Sequence, residues 1–213
     1  MSIYILEGNI GSGKTTLLSQ LEKEKNIIII YEEVDRWIDM KDEDGKNIIQ
    51  KFYEDKKRHS YLFQTYVLMT RVSKMMDILN KNKNSIIICE RSHYTDMEIF
   101  VRMLKDNKEM TELEWNIYVD NFELMKKLLN IPIKGVIYNR VSIDKCFERI
   151  QVRGREGEEN ISIEYLKRLD KYHDDWLLNR NDIPILIIDG SVDIDSIERK
   201  EQIKRIVRFI QNN

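Results

Sequence analysis

Prolines, cysteines and net charge are all scarce in this chain of 213 residues, which has two prolines, two cysteines and a net charge of −2 at pH 7. Pro132 and Pro184 each precede an apolar run, and no stretch rich in proline, glycine or serine marks a linker. At this length we predict one domain that spans residues 1–213. Cys89 and Cys146 lack C-x-x-C spacing, so we expect two reduced thiols and a cytoplasmic location.

Long hydrophobic runs are missing as well. The uninterrupted apolar runs are only a few residues long, and residues 1–6 lead into Glu7 without a basic flank. These features exclude a transmembrane helix and argue against a secretory signal. Charged residues form 34% of the chain and both signs are mixed. The overall charge therefore predicts no nucleic-acid partner and no membrane partner.

Short runs rich in isoleucine alternate with longer segments of helical pattern. The candidate strands are residues 3–6, 27–31, 85–89, 136–138 and 185–188. The candidate helices are residues 15–25, 48–81, 92–106, 112–129, 142–152, 162–179 and 195–211. Thr111 and Glu114 have the spacing of a capping box, which predicts a helix start at that point. Isoleucine runs without alternation are typical of parallel strands covered on both faces. We predict an α/β fold in which helices flank a five-stranded parallel sheet.

Residues 8–15 follow the first candidate strand and form a complete G-x-x-x-x-G-K-[ST] loop. Its glycines allow several backbone N–H groups to point at one phosphate, and the next helix adds its positive N-terminal end. We expect Lys14 to reach the β- and γ-phosphates and Thr15 to ligate Mg²⁺. The alternative is an ordinary glycine-rich turn. The predicted phosphate ligands are Gly8, Asn9, Ile10, Gly11, Ser12, Gly13, Lys14, Thr15 and Thr16.

Two charged segments interrupt the predicted elements. Residues 33–47 are rich in acidic side chains, for which a solvated loop is the plain alternative to a functional one. Residues 153–160 contain Arg153 and Arg155, and Arg149 lies one helical turn earlier. Three guanidiniums suit phosphoryl transfer, whose transition state spreads negative charge over three oxygens. We predict an arginine-rich lid at about residues 149–160; the alternative is a surface helix with ion pairs to Glu148 and Glu156.

Glu32 and Glu90 each follow a predicted strand, and Arg91 stands beside Glu90. Ligands of open α/β sheets bind at the carboxyl ends of the strands, so we expect both carboxylates near the phosphate loop. A carboxylate near Mg²⁺ would stay ionised, and one near a hydroxyl would act as a base. Alternatively, each merely ends a strand and pairs with a nearby lysine.

Five motifs occur in order along most of the chain. They are G-N-I-G-S-G-K-T-T at 8–16, E-E-V-D-R-W at 32–37, F-Y-E-D at 52–55 with F-Q-T-Y at 63–66, E-R-S at 90–92, and R-I-Q-V-R-G-R at 149–155. This combination resembles the deoxynucleoside kinases, the family of deoxycytidine kinase, deoxyguanosine kinase and the insect multisubstrate enzyme. The resemblance implies a P-loop kinase fold that transfers the γ-phosphate of ATP, with Mg²⁺, to the 5′-hydroxyl of a deoxynucleoside in nucleotide salvage.

The same resemblance implies roles for the residues near the phosphates. Glu32 matches the general base that takes the proton of the 5′-hydroxyl. Arg91 matches the arginine beside that base and the phosphates, and together with Lys14 it completes the expected catalytic set. Glu90 is similar to the acidic group that holds Mg²⁺, together with Thr15.

Other matching residues would bind the acceptor. Tyr53 and Glu158 match groups that hydrogen-bond the sugar 3′-hydroxyl. Gln64 would make two hydrogen bonds with the base, which suits an amide because it offers a donor and an acceptor together. The apolar walls of the base pocket would be Trp37, Phe63 and Phe100. An aromatic stripe is also typical of a plain hydrophobic core.

Base preference depends on Arg71 and Asp96, which match a pair deep in the base pocket of family members that act on deoxycytidine or purine deoxynucleosides. Their charges would leave little room for the methyl group of thymine, so we expect deoxycytidine or a purine over thymidine. Three positions depart from the family pattern: Glu33 replaces a proline, His59 a tryptophan and Gly157 a lid acid. No motif in the loop at 189–193 identifies the donor base, so ATP follows from the resemblance only.

Two other functions stay open. A nucleoside monophosphate kinase such as thymidylate kinase shares the loop, the sheet and the lid, but needs a further cationic site for the phosphate of its acceptor. A non-catalytic kinase-like subunit is the second alternative, against which the intact set of site residues argues. The resemblance also implies a homodimer, for which the helices at 48–81 and 92–106 could form a face; internal packing explains the same pattern.

Overall fold

A computed structural model describes residues 2–82 and 85–213, and its centre is a sheet of five parallel strands. The spatial order of the strands is β2-β3-β1-β4-β5. The strands are β1 (Ser2–Glu7), β2 (Ile27–Ile30), β3 (Ile86–Glu90), β4 (Ile133–Arg140) and β5 (Ile185–Asp189). Every pairing between neighbours is parallel. The predicted five-stranded parallel sheet is therefore confirmed.

Helices occupy the crossovers that parallel strands require. They are α1 (Lys14–Leu21), α2 (Val34–Asp39), α3 (Ile48–Glu54), α4 (Lys56–Lys81), α5 (His93–Thr95), α6 (Arg102–Asp106), α7 (Glu112–Leu129), α8 (Ile143–Arg153), α9 (Ile163–Leu177) and α10 (Ile197–Asn212). A π-helical section, Asp96–Val101, joins α5 to α6. The predicted capping box is present, since Thr111 and Glu114 exchange hydrogen bonds at the start of α7.

Three predictions of secondary structure need correction. The single helix predicted at 48–81 is two helices, because Asp55 leaves the helical conformation and its side chain accepts a hydrogen bond from the N–H of Arg58 as the N-cap of α4. The segment predicted as irregular at 33–47 contains α2, which Trp37 anchors by burial. The helix predicted at 92–106 is continuous but contains the π-helical section.

The isoleucine runs are buried on both faces of the sheet. Ile87 packs with α4 and α7 on one face, and the next residue, Ile88, packs with α1 and α10 on the other. Tyr4 of β1 also faces α10, and its hydroxyl donates to the carbonyl of Ile210 at 2.8 Å. Successive strand residues thus meet apolar partners on opposite sides, which explains why the sequence shows no polar alternation.

Two predictions from the sequence concern a membrane-spanning helix and the state of the cysteines. Among the described residues, no helix combines the length and the apolar character that crossing a bilayer requires. Cys89 and Cys146 are both buried free thiols. The free thiols are those expected from the spacing of the two cysteines.

Candidate active site

A cleft of about 1030 Å³ opens at the carboxyl ends of the strands. It is lined by most of the residues singled out from the sequence: Ile10, Gly11, Gly13, Lys14, Thr15, Thr16, Glu32, Trp37, Tyr53, Phe63, Gln64, Arg71, Glu90, Arg91, Asp96, Phe100, Arg149, Arg153, Arg155 and Glu158. Gly8, Asn9 and Ser12 lie in the phosphate loop without lining the cleft. The amide of Asn9 instead donates to the carbonyl of Leu166 in α9, which anchors the loop.

The phosphate loop takes a backbone form that depends on glycine. Gly11 and Gly13 have φ values of 78° and 88°. A Cβ atom on Gly11 would lie 2.3 Å from the carbonyl oxygen of Cys146, so no other residue fits this position. The ammonium of Lys14 donates to the carbonyls of Gly8 and Asn9 at 3.0 and 2.9 Å. The loop therefore holds its lysine folded over the backbone at the start of α1.

A hydroxyl and a carboxylate meet where a metal ion could bind beside the loop. Thr15 Oγ1 lies 3.0 and 3.1 Å from the two carboxylate oxygens of Glu90, the last residue of β3. Both groups are hard oxygen ligands of the kind that Mg²⁺ prefers. This donor set fits the magnesium ion expected from the sequence.

Four charged side chains, three of them buried, form a cluster beside the pair of Thr15 and Glu90. Arg71 binds Asp96 through two hydrogen bonds, from Nε at 2.9 Å and from Nη2 at 3.1 Å. Nη2 also lies 3.0 Å from Glu32 Oε1, and Nη1 donates to the carbonyl of Glu90 at 3.1 Å. Arg91 Nε lies 3.3 Å from the same oxygen of Glu32. Glu32 is therefore held between two guanidiniums, and one arginine joins the ends of β2, β3 and the π-helical section.

These surroundings set the charges of the cluster. Burial opposes ionisation of Glu32, but Arg91 and Arg71 outweigh it and hold the pKa of this carboxyl below its usual value. Burial and the charge of Glu32 raise the pKa of Glu90. Burial, followed by the charge of Arg91, lowers the pKa of Lys14 to about 8. Two neighbouring carboxylates with opposite shifts are typical of sites in which they have different tasks.

Arg91 has an unusual backbone. Its φ of 62° is left-handed, which is strained for a residue with a side chain. Its N–H donates to the carbonyl of Leu6 at 3.1 Å, and its guanidinium stacks 4.9 Å from the ring centre of Phe100. Among the described residues, its Nη1 has no hydrogen-bond partner. The strained turn after β3 thus buries a cation beside Glu32 and leaves one of its donors unused.

Aromatic side chains enclose the space beside Glu32. The rings of Trp37 and Phe63 meet edge to face with centres 5.9 Å apart, and the Trp37 indole donates to Thr70 Oγ1 at 3.0 Å. The rings of Tyr53 and Tyr165 meet edge to face at 5.8 Å. The side chain of Gln64 is buried and has no hydrogen bond with the described residues, so its amide is available in the cleft.

The three arginines predicted as a lid divide between backbone carbonyls and one carboxylate. Arg149 donates to the carbonyl of Ser12 at 3.0 Å and to that of Gly190 at 3.1 Å. Arg153 and Arg155 both pair with Glu158, at 2.5 and 3.3 Å. The alternative predicted ion pairs with Glu148 and Glu156. In the described part of the chain, Arg153 and Arg155 pair with Glu158 instead.

Several lining residues were not predicted as site residues. They are Tyr31, Val34, Asp35, Ile49, Phe52, Val67, Lys145, Tyr165, Gly190, Ser191, Val192, Asp193, Ile194 and Arg199. Residues 190–194 could have been predicted as site residues from their position after the last strand, because such loops lie at the carboxyl edge of the sheet. Lys145 and Arg199 carried no signal, because each resembles an ordinary basic residue on an amphipathic helix.

Known proteins are similar in sequence to nearly the whole chain. The sequence model of the family described as deoxynucleoside kinase matches residues 4–213. A probable deoxycytidine kinase of Fowlpox virus (strain NVSL) is 36% identical over 93% of this chain and 83% of the relative. Deoxycytidine kinase of Rattus norvegicus is 31% identical over 96% and 89%. Mitochondrial deoxyguanosine kinase of Xenopus laevis is 29% identical over 90% and 82%. With its parallel sheet, its phosphate loop and a glutamate held between two arginines, the chain belongs to the deoxynucleoside kinase family, whose fold is that of the P-loop kinases.

Proposed function

We propose that this chain is an ATP-dependent deoxynucleoside kinase that transfers the γ-phosphate of ATP to the 5′-hydroxyl of a deoxynucleoside. The observation that carries the proposal is the position of Glu32. Its carboxylate is held by Arg71 and Arg91 in the same cleft as Lys14, between a phosphate loop and an aromatic pocket. Because its pKa is lowered, Glu32 is ionised at neutral pH and can accept a proton from a hydroxyl.

The phosphate-loop end of the cleft is the donor half of the site. The loop at 8–16 would bind the β- and γ-phosphates with Lys14, and Arg149, Arg153 and Arg155 would balance the charge that the transferred group spreads over its oxygens. Thr15 and Glu90 would hold Mg²⁺. When bound, the ion neutralises phosphate charge and orients the terminal phosphate.

The aromatic end is the acceptor half. Glu32 takes the proton of the 5′-hydroxyl as the oxygen attacks the γ-phosphorus. The bond from that phosphorus to the β,γ-bridging oxygen breaks, and ADP leaves with this oxygen. Arg91 orients the Glu32 carboxylate. Tyr53 and Glu158 bind the sugar 3′-hydroxyl, while the free amide of Gln64 binds the base. Trp37, Phe63 and Phe100 provide its apolar walls.

The paired charges of Arg71 and Asp96 support a preference for deoxycytidine or a purine deoxynucleoside over thymidine. Both residues are buried, with exposed fractions of 7% and 1%, and they line the same cleft as Gln64 and Glu32. A fixed ion pair can exchange hydrogen bonds with an exocyclic amino group or a ring nitrogen. It has no favourable contact for the methyl group of thymine.

The same cluster disfavours a nucleoside monophosphate kinase. An acceptor that already carries a phosphate needs free cations beside it, whereas Arg71 and Arg91 both face carboxylates. A neutral 5′-hydroxyl therefore fits this part of the cleft better than a phosphate does. The complete set of charged residues in the cleft also argues against a non-catalytic subunit, because an unused site has no reason to keep so many buried charges.

The proposal includes one domain over residues 1–213, with the phosphate loop at 8–15 and the lid at about 149–160, a cytoplasmic location and a homodimer. The two buried free thiols support a reducing compartment.

The face proposed for the homodimer needs a change of helix. The helix at 92–106 is mostly covered by neighbouring elements, so we propose that α4 and α7 form the face. The apolar side chains exposed on these two helices are Leu62, Met69, Met76, Leu113, Ile117, Leu124 and Leu128.

A substrate panel tests the proposal. Phosphate transfer from ATP is measured with the four natural deoxynucleosides and with their 5′-monophosphates, in the presence of Mg²⁺ and after its chelation. We expect activity on deoxycytidine or a purine deoxynucleoside, with little on the monophosphates and none without the ion. Thymidine as the best substrate would contradict the base preference alone. Activity confined to monophosphates would contradict the proposed reaction.

A further inference from the structure

Three aromatic rings in the wall of the cleft contact the same cation. The ammonium of Lys56, the first residue of α4, lies 5.8, 5.4 and 5.2 Å from the ring centres of Phe52, Tyr53 and Tyr165. At these distances a cation is attracted to the face of an aromatic ring. All three aromatic residues line the cleft, whereas Lys56 does not. Lys56 therefore contacts the aromatic wall but not the space that the wall encloses.

The surroundings of Lys56 offer it little besides these rings. Among the described residues, its ammonium forms no ion pair and no hydrogen bond. The side chain is half-buried, and burial lowers its pKa, while Glu109 and Arg168 act on it in opposite directions. The first turn of a helix is also an unfavourable place for a cation, because the helix dipole is positive there. Partial removal from water strengthens the attraction of an ammonium to aromatic rings, so the rings are the contacts that favour this position.

The two tyrosines depend on ring contacts for their orientation. The Tyr53 ring meets that of Phe52 at 4.9 Å and that of Tyr165 at 5.8 Å, edge to face in both cases. The hydroxyl of Tyr165 is buried and has no hydrogen-bond partner among the described residues, so no polar contact fixes this ring. Arg168 lies 5.9 Å from the ring centre of Tyr165. Among the described cations, Lys56 is the one that contacts both tyrosine rings.

We propose that Lys56 is a positioning residue for the sugar of the acceptor, whose ammonium holds the rings of Tyr53 and Tyr165 so that the Tyr53 hydroxyl meets the sugar 3′-hydroxyl. The inference rests on the proposed function, because it takes Tyr53 as a ligand of that hydroxyl. Lys56 contacts neither the sugar nor the phosphates and acts through the two rings. Its effect is therefore confined to acceptors that carry a 3′-hydroxyl.

This role predicts a specific kinetic effect. Without the ammonium, the KM for the best deoxynucleoside should rise by about tenfold, the effect of losing a partly desolvated contact between a cation and aromatic rings. The KM for the corresponding 2′,3′-dideoxynucleoside, which lacks the 3′-hydroxyl, should change by less than about twofold, because the lost contact acts through that group. The value of kcat and the KM for ATP should change little, since Glu32 and the phosphate loop keep their contacts.

The experiment compares Lys56→Met, Lys56→Arg and a control, Lys57→Met. The control removes the same charge from the same helical turn, but at an exposed position. For each protein, kcat and KM are measured at saturating ATP with the deoxynucleoside and with its dideoxy analogue, and the equilibrium binding of both is measured without ATP. We expect Lys56→Met to raise the KM for the deoxynucleoside alone, Lys56→Arg to restore most of the affinity because it keeps the cation, and Lys57→Met to match the unmodified protein.

A second comparison removes the hydroxyl from the protein instead of the substrate. Tyr53→Phe keeps the ring that Lys56 contacts but has no hydroxyl to position. Adding Lys56→Met to Tyr53→Phe should therefore raise the KM for the deoxynucleoside by less than about twofold, because two residues that act through one contact are not additive. A further rise of about tenfold in the double variant would contradict the inference.

The outcomes separate this inference from the proposed function. An equal rise in KM for both acceptors in Lys56→Met would overturn the inference, since it would indicate a general defect at the junction of α3 and α4. An unchanged KM in Lys56→Met, or the same rise in Lys57→Met, would overturn it as well. Absence of transfer to every deoxynucleoside would contradict the proposed function, while the binding measurements would still decide whether Lys56 acts through the 3′-hydroxyl. If Lys56→Met fails to fold, Lys56→Gln takes its place in the same measurements.

Discussion

Glu7 provides a quantitative test of the electrostatics beneath the phosphate loop. It is the last residue of β1, directly before Gly8, and it is fully buried. Thr95 Oγ1 donates to its Oε1, whereas Oε2 has no hydrogen-bond partner among the described residues and lies 3.9 Å from His173 Nε2. Burial raises the pKa of Glu7 to about 7, although nearby cations oppose the shift.

The sign of the effect on stability follows from that pKa. The ordinary value is 4.5, so between pH 4.5 and about 7 the native protein binds a proton that the unfolded chain has released. The free energy of unfolding must therefore fall as the pH rises through this window. The two pKa values correspond to a loss of roughly 3 kcal/mol in total, of which roughly 2 to 3 kcal/mol falls between pH 5 and 8.

Glu7→Gln removes this titration and keeps an oxygen that can accept from Thr95. Urea unfolding of both proteins at pH 5, 6, 7 and 8 measures the difference in the free energy of unfolding at each pH. We expect the difference to shift in favour of the variant by roughly 2 to 3 kcal/mol from pH 5 to pH 8. Glu148→Gln, at an exposed position, should show no such shift. A difference for Glu7→Gln that is constant with pH would refute the reasoning.

Two other predictions concern the two halves of the cleft. Because the pKa of Lys14 is about 8 in the free protein, kcat/KM for ATP should fall as the pH rises through about 8, which a pH profile at saturating acceptor measures. A flat profile up to pH 9 would contradict it. Gly157→Ala should reduce kcat/KM for the deoxynucleoside roughly tenfold by displacing the lid, because the new Cβ would lie 3.0 Å from Ile49 Cγ2. Gly45→Ala has a similar positive φ and nothing within 4 Å, so steady-state kinetics should find its activity unchanged.

The sequence predicted the fold well where the pattern was local. Short apolar runs rich in β-branched residues located all five strands to within a few residues, because both faces of the sheet are covered. The break at Asp55 was missed because no proline or glycine marks it, and only the cap geometry separates α3 from α4. The helix α2 was missed because it is short and its three apolar residues, Val34, Trp37 and Ile38, stand among acidic ones.

The site was predictable residue by residue but not as a network. The family resemblance named Glu32, Arg71 and Asp96. It could not show that one guanidinium binds both carboxylates, which lie 39 and 25 residues from Arg71 in the sequence. Contacts of this kind depend on the order of the strands in space. The same limit hid the contact of Arg199 with the carbonyl of Val192, which forms because α10 packs against the loop after β5.

The proposed reaction depends on Glu32 as its general base, and the adjacent Glu33 provides a matched control. Glu32 is held by two arginines in the cleft, whereas Glu33 pairs with the exposed Arg36 at 3.4 Å. The measurement is kcat for the best deoxynucleoside, at saturating ATP, in Glu32→Gln and Glu33→Gln. We expect kcat to fall by at least about 10²-fold in Glu32→Gln and to stay near that of the unmodified protein in Glu33→Gln. A Glu32→Gln variant that retains most of its turnover, or a loss confined to Glu33→Gln, would contradict the account.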